Sequence, residues 1–316
     1  MKRKKLLSIV LAVVLSLCSV PLTAVQAQKS LETFSEEEPL KKNETEEFEK
    51  MKPEMTPQEG NVKAASKIGE EYSYAELEDG TLEIMSYFGN DTELVVPTEI
   101  DGKRVTRIGR RAFNGCSSLR SIELPESVTS VGRSVFSECS NLKEIIVGGN
   151  NVNYTSKDGI LYDKNQMELI CCPMGKAGDI VIPASVNKIG ESAFSGCKSL
   201  KSIELPESVN EIGGHAFYGC SSLKSIKLPA SLSSMPKEAD EDEDYSVYVP
   251  VFSGCSSLKE IIVDENNANY ESKDGILYEK GQKYLIYCPQ GKVGDIVIPA
   301  SVNEIGSDAF TGCSSL

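Results

Sequence analysis

Six of the ten cysteines in this 316-residue chain recur at one place. Cys116, Cys139, Cys197, Cys220, Cys255 and Cys313 each stand three residues after a phenylalanine. Thiols invite three readings: an activated nucleophile, a thiolate metal site or a disulfide framework. The chain holds a single histidine, His215, which removes imidazole clusters and most shuttle mechanisms. His215 also shares its slot in the repeated phrase with Arg111, Ser134, Ser192 and Asp308, a scatter that marks a solvent-facing position and argues against a Cys–His pair. At about 3% of the residues, cysteine is too sparse for a disulfide-built mini-protein. No metal and no cofactor is expected, and no catalytic set emerges.

The second candidate chemistry lies in "PKEADEDEDYSVYVPV" (236–251). Asp240, Asp242 and Asp244 copy the first three ligands of a calcium loop. The sixth position is Tyr245 where glycine is required, and the twelfth is Val251 where a glutamate should close the shell. A solvated acidic bulge is the plain reading. Tyr245 and Tyr248 beside those carboxylates also suit a recognition loop, because binding residues concentrate on loops held by a rigid scaffold.

The elements that would position these groups come from a repeat. Phe-x-Gly-Cys-x-x-Leu recurs as "FNGCSSL" (113–119), "FSECSNL" (136–142), "FSGCKSL" (194–200), "FYGCSSL" (217–223), "FSGCSSL" (252–258) and "FTGCSSL" (310–316). The phenylalanines are 23, 58, 23, 35 and 58 residues apart, so 23 is the unit and the rest are units with insertions. Segments 139–200 and 255–316 align without a gap at 45 of 62 positions, which is duplication. In "LKSIELPESVNEIGGHAFYGC", Leu200, Ile203 and Leu205 send apolar side chains to one face of a short strand. Pro206 stops it, and Val209 and Ile212 head a second short apolar segment. Gly213 is read as a bend, and Ala216–Phe217 as a short helical or 3₁₀ turn. One unit buries too little to fold alone, but stacked units share a core.

The pattern S-L-x-x-I-x-L-P-x-S-V-x-x-I-G-x-x-A-F-x-G-C resembles the BspA-like leucine-rich repeats of bacterial surface proteins over about residues 109–316. The resemblance implies an extracellular leucine-rich-repeat solenoid, used in attachment to host or neighbouring-cell molecules, and names no ligand. The expected fold is β-rich, with six repeat units over 109–316, short helical or 3₁₀ turns, β-hairpin insertions and an N-terminal β cap over 67–108. Each insertion places two apolar runs around a polar turn, "ILYD…MELICCP" and "ILYE…KYLIYCP", which reads as a hairpin extending one edge of the array. Tyr154, Tyr162, Tyr270, Tyr278, Tyr284 and Tyr287 are expected to pack more than to present themselves.

Stacking decides the cysteine question on paper. Neighbouring strands lie about 4.8 Å apart with parallel Cβ vectors, whereas a disulfide wants Cβ atoms nearer 3.8 Å and converging. The six repeat cysteines therefore read as a structural ladder of free, buried thiols. Outward-facing strand residues make an open face, with Lys or Arg at the head of each row. Lys201, Glu204, Lys224 and Lys227 are its central candidates, with Arg120, Lys143 and Lys259 in line. A face of this kind suits an extracellular protein or glycan held weakly and multivalently; the alternative is a non-binding structural spacer of a larger surface protein.

The ends of the chain carry addresses. Lys2–Lys5, an apolar run from Leu6 to Val20, and Val25-Gln26-Ala27 read as a secretory signal peptide over 1–27, not as a membrane anchor. Its removal takes four cations and shifts the net charge from −14 to −18, which excludes nucleic acid as a partner. No membrane span is expected in the mature chain. Residues 28–66, rich in Glu, Lys, Pro and Thr, read as a disordered acidic tether. Leu316 falls inside a repeat, so further repeats or a pairing chain are expected to cover the last core layer. The expected location is secreted or cell-surface.

Overall fold

A computed structural model describes residues 66–68, 71–177, 180–236 and 251–316. The segment expected to be a signal peptide, most of the expected tether, and the acidic insertion with Asp240, Asp242, Asp244, Tyr245 and Tyr248 lie outside them. The described part begins with an antiparallel meander of β1 (Ser66–Ile68), β2 (Tyr72–Glu76) and β3 (Leu82–Tyr87). Next come β4 (Glu93–Val95), β5 (Glu99–Ile100) and β6 (Lys103–Ile108), with β6 parallel to β3. The repeats then supply β7 (Ser121–Leu124), β8 (Ser130–Val131) and β9 (Glu144–Val147). The first insertion forms β10 (Tyr154–Lys157), β11 (Ile160–Asp163) and β12 (Glu168–Cys171). Repeats resume with β13 (Lys188–Ile189), β14 (Glu211–Ile212), β15 (Ser225–Leu228) and β16 (Glu260–Val263). The second insertion forms β17 (Tyr270–Lys273), β18 (Ile276–Glu279) and β19 (Tyr284–Tyr287), before β20 (Glu304–Ile305).

Each repeat feeds two parallel ladders. The Leu-x-x-Ile-x-Leu strand enters the first, as in β4·β7·β9 and β15·β16. The Val-x-x-Ile segment enters the second, as in β3·β6·β8 and β12·β13·β14. Leu200, Ile203, Leu205, Val209, Ile212, Ala216 and Phe217 are all buried, so one repeat contributes seven side chains to the shared core. The phenylalanines stack into columns: Tyr87, Phe113 and Phe136 at 5.8 and 5.7 Å, then Phe194, Phe217 and Phe252 at 5.2 and 5.7 Å.

Three sequence expectations are corrected: the Ala-Phe turn, the placement of the insertions and the role of Gly213. The Ala-Phe turn is neither helical nor 3₁₀, and no helix of either kind occurs among the described residues. Its backbone donors alternate in target. Ala193, Ser195 and Cys197 close local turns onto Gly190, Ser192 and Phe194, while Ser192, Phe194 and Gly196 donate to Gly214, Ala216 and Tyr218 of the next repeat. Left-handed backbone at Ser192 (φ 58°) and Gly196 (φ 73°) breaks any run of consecutive local bonds. Every second amide is thereby free to tie one repeat to the next.

The insertions form the expected hairpins, β11·β12 and β18·β19, and each adds a further antiparallel strand, β10 or β17. Asp158-Gly159 and Asp274-Gly275 both carry positive φ and form the tight turn between β10 and β11 and between β17 and β18. The insertions also sit within the stack instead of extending its edge. β12 takes a place in the second ladder beside β13, and the turn covers the edge of β9, where Ile145 donates to the Gly159 carbonyl at 2.9 Å. Val147 donates to the Ser156 hydroxyl at 3.1 Å. Exposed strand edges invite unwanted pairing, and this arrangement closes one.

Gly213 has a role other than the bend expected of it. A Cβ there would lie 2.6 Å from the Glu191 nitrogen and 2.9 Å from its Cα, because successive repeats approach backbone to backbone. The neighbouring Gly214 would meet only Pro236, at 4.0 Å. Gly213→Ala should cost about 1–3 kcal/mol by forcing the repeats apart, while Gly214→Ala should stay within about 0.5 kcal/mol of the parent. Urea unfolding of the two single variants checks the contrast.

Candidate strand-face binding site

The first ladder turns alternate side chains out of the core, so register alone lines them into rows. Lys201, Lys224 and Lys259 are exposed one per repeat, and Lys224 and Lys259 each donate a backbone bond to the residue before them in the row, at 3.2 and 2.9 Å. Lys143 likewise donates to Arg120 at 2.8 Å. Like charges are thus held side by side, and among the described residues none of these five cations forms an ion pair. Lys227 is paired differently, with Asp264 at 3.3 Å and Glu207 at 3.9 Å. The Asp264 carboxyl is held below its usual range by the Asn266 backbone N–H, and also by Lys227.

A second row crosses the same face. Val95, Glu123 and Ile146 are in register, as are Val181, Glu204, Lys227 and Ile262. The apolar members are unusually bare: Val95 is 67% exposed, Val181 77%, Ile146 40% and Ile262 43%. Val297, the duplicate of Val181, is 80% exposed. The structure therefore brings Lys201, Glu204, Lys224 and Lys227 onto strand faces where Ile146 and Ile262 point outward as expected, and it adds the exposed Val95 and Val181. For Val181 and Val297 the signal was present in the sequence as the "IVIP" phrase shared by both copies.

All nine cysteines of the described residues are free. Cys139, Cys197, Cys220 and Cys255 are buried, while Cys116 and Cys313 are half-buried. The thiols of Cys139, Cys220 and Cys255 donate to the carbonyls of Phe113, Phe194 and Phe217 one repeat earlier, at 3.0, 3.1 and 3.1 Å. Where an insertion precedes, the acceptor changes: Cys197 reaches the Cys172 carbonyl at 3.7 Å and Cys313 the Cys288 carbonyl at 3.4 Å. The repeat thiol acts as a weak inter-repeat donor as well as a small apolar group.

His215 packs edge-on to Tyr218 with ring centroids 6.2 Å apart, and burial lowers its pKa. Among the described residues no three His, Cys, Asp or Glu converge on a metal position. Tyr162, Tyr270, Tyr278, Tyr284 and Tyr287 are buried, and half-buried Tyr154 accepts the Val131 amide at 3.0 Å.

Burial has a pH consequence. Burial, helped by Glu71 and Asp91, pushes the Tyr72 hydroxyl up to about 12, and burial with the Cys313 thiol pushes Cys288 up to about 12. These acids stay neutral in the folded chain but ionise near 10.0 and 9.0 once exposed. Their stabilising contribution is therefore complete below about pH 9 and is lost as pH rises toward 12. The urea midpoint should be flat from neutral pH to about 8.5 and fall steadily above 9.

A cavity of about 380 Å³ opens away from the strand face, between β8 and β12, lined among others by Arg133, Phe136, Cys171, Met174 and Glu191. Sequence reasoning missed it. Its only trace there was the mismatch of Cys171 with Tyr287 between the two copies.

Comparison with known proteins agrees with this architecture. The family profile for the BspA type leucine rich repeat region matches six copies, over residues 87–174, 171–274 and 282–316. No curated protein matches the sequence. A leucine-rich repeat protein from Eubacterium ventriosum is similar in structure, with a TM-score of 0.52 and 20% identity over 78% of this chain and 82% of that one. A leucine rich cell surface protein from Faecalibacterium prausnitzii gives 0.49 and 24%, over 80% of this chain and 69% of that one. No helix among the described residues is long and apolar enough to cross a membrane.

Proposed function

Because this chain belongs to the BspA-type leucine-rich repeat family, we propose that it is a secreted or surface-displayed solenoid that binds an extracellular protein or glycan of a host or neighbouring microbe, without catalysis. One observation supports this most: an open strand face on which Lys201 and Lys224, without an ion pair among the described residues, run beside bare Val181 and Ile262. Such a surface offers a partner a cation in every unit and apolar area at some of them. A repeated weak contact gains by avidity instead of by one anchor. The acidic insertion with Asp240, Asp242, Asp244, Tyr245 and Tyr248 is proposed as a second contact. Residues 67–108 serve as the N-terminal cap and the 28–66 tether holds the array away from the cell surface.

The test is a binding panel of immobilised matrix proteins and glycans. Saturable binding to at least one member is expected, weakening with salt and falling at least tenfold in the double variant Lys201→Glu/Lys224→Glu. Absence of saturable binding across the panel would favour the spacer role. Binding that ignores both the variant and salt would move the site off this face.

A further inference from the structure

The two copies of the duplicated segment differ at the place where the aromatic column should continue. In the second copy Tyr287 carries it on, with its ring 5.8 Å from Phe252 and its hydroxyl donating to the Phe252 carbonyl at 2.9 Å. Cys171 holds the equivalent position in the first copy, opposite Phe136. The aromatic column stops there, while the core as a whole divides at both insertions, into three clusters.

The backbone frame around the two positions is the same. Cys171 pairs with Leu161 as Tyr287 pairs with Leu277. Cys172 donates to Ala193 at 2.7 Å and Cys288 to Ala309 at 2.8 Å, fixing each insertion to the following repeat. Gly175 donates to Leu142 and Gly291 to Leu258, both at 2.7 Å, fixing each to the preceding one. The side chains differ: besides Cys171 for Tyr287, the cavity residues Glu168, Met174, Lys188 and Glu191 stand where the second copy has Tyr284, Gln290, Glu304 and Ser307. At the ring position beside Tyr287 about 10 Å³ remains, with a separate opening of about 350 Å³ beside Tyr270 and Lys280, against the cavity of about 380 Å³ beside Cys171. A shallow polar groove next to Tyr270 and Lys280 persists in the second copy, so Tyr287 closes the ring position and not the whole opening.

We propose that the cavity beside Cys171 is a binding site for the phenol ring of a tyrosyl side chain on a partner polypeptide, which completes the column as Tyr287 does internally. Phe136 and Met174 supply the apolar contact. The Phe136 carbonyl accepts the Cys139 amide at 3.2 Å, and among the described residues no side chain takes the position that the Tyr287 hydroxyl takes on Phe252, which also accepts the Cys255 amide. The ligand hydroxyl donates there. At the rim, Arg133 and Glu191 form an ion pair at 3.0 Å beside Ser134 and Ser192, polar groups suited to the peptide flanking a tyrosine. The cavity volume falls within the range of small-molecule sites, about 300–1,000 Å³. None of these residues belongs to the strand-face rows, so the site stands independently of the proposed function.

Titrating the full chain with N-acetyl-L-tyrosinamide, with N-acetyl-L-leucinamide and p-cresol in parallel, tests this by NMR and calorimetry. Saturable binding of the tyrosine amide is expected, at least tenfold tighter than the leucine amide. Nuclear Overhauser contacts from its ring should fall on the Met174 methyl and the Phe136 ring. Binding of p-cresol equal to that of the tyrosine amide would remove the polypeptide part of the proposal. Cys171→Tyr should abolish binding while keeping or raising the thermal midpoint, and Cys171→Ser should bind as the parent does. Tyr287→Cys should open a second site. No saturation in the parent chain, contacts elsewhere, or undiminished binding in a folded Cys171→Tyr protein would overturn the inference.

Discussion

Phe217→Ala should lower the unfolding free energy by about 3–5 kcal/mol. Phe217 is fully buried, with Phe194 at 5.2 Å on one side and Phe252 at 5.7 Å on the other. Truncation removes the transfer energy of the ring, leaves a void with stacked walls, and forfeits two aromatic pairs worth about 0.5–1.5 kcal/mol each. The void cannot collapse easily, because Phe217 donates its amide to Val251 and Gly219 donates to Ser253, holding the next repeat at fixed separation. Tyr218, the following residue, is 45% exposed, and its alanine variant should cost about 1 kcal/mol or less. Urea unfolding followed by circular dichroism measures both. A transition that splits in two for Phe217→Ala would show that stability passes between neighbours along the stack.

Asn151→Ala should be nearly as damaging, at about 3 kcal/mol or more, although it removes no core volume of note. Asn151 is 1% exposed and uses both ends of its amide. Its nitrogen donates to the carbonyls of Pro125 at 3.1 Å and Val128 at 2.8 Å in the preceding repeat. Its oxygen accepts the amides of Asn153 at 2.9 Å and Tyr154 at 2.8 Å at the start of the insertion. Alanine leaves several backbone groups without partners in a place water reaches poorly, each costing about 1–3 kcal/mol. Asn267 repeats the arrangement with Pro229, Leu232, Asn269 and Tyr270. Asn151→Asp separates the two ends: it keeps the acceptor but turns a carboxylate toward two carbonyls. Its deficit should be large at neutral pH and shrink on acidification, as the protonated acid regains one donor. A deficit that does not change with pH would assign the cost to packing.

These residues show where reading the chain by eye falls short. The unit length, the buried Leu, Ile and Phe positions and the strand face were legible because each repeats, and repetition separates a constrained position from a free one. Asn151 and Asn267 also repeat, yet in sequence they look like two polar residues in a polar loop. Their burial follows from the insertion folding back over the previous repeat, a contact some 23–38 residues distant in sequence. The Ala-Phe turn was misread for a related reason. Local propensity permits a helical turn, but the amides of Ser192, Phe194 and Gly196 find better acceptors in the next repeat. The candidate strand face was half legible: charge drew attention to Lys201 and Lys224, while the bare valines of the same face passed as ordinary strand residues.

By itself, then, the sequence determined the family, the stacking unit, the two parallel ladders' apolar positions and the duplication of the inserted segment. It did so because a periodic core imposes the same side-chain chemistry at every turn. The tertiary structure alone decided which amides join one repeat to the next, and that the insertions lie inside the stack. It also decided that a cavity opens beside Cys171 while Tyr287 fills the ring position of the duplicate. Each of these is set by what stands across a gap between layers, and distance across a gap is not written in the order of residues along a chain.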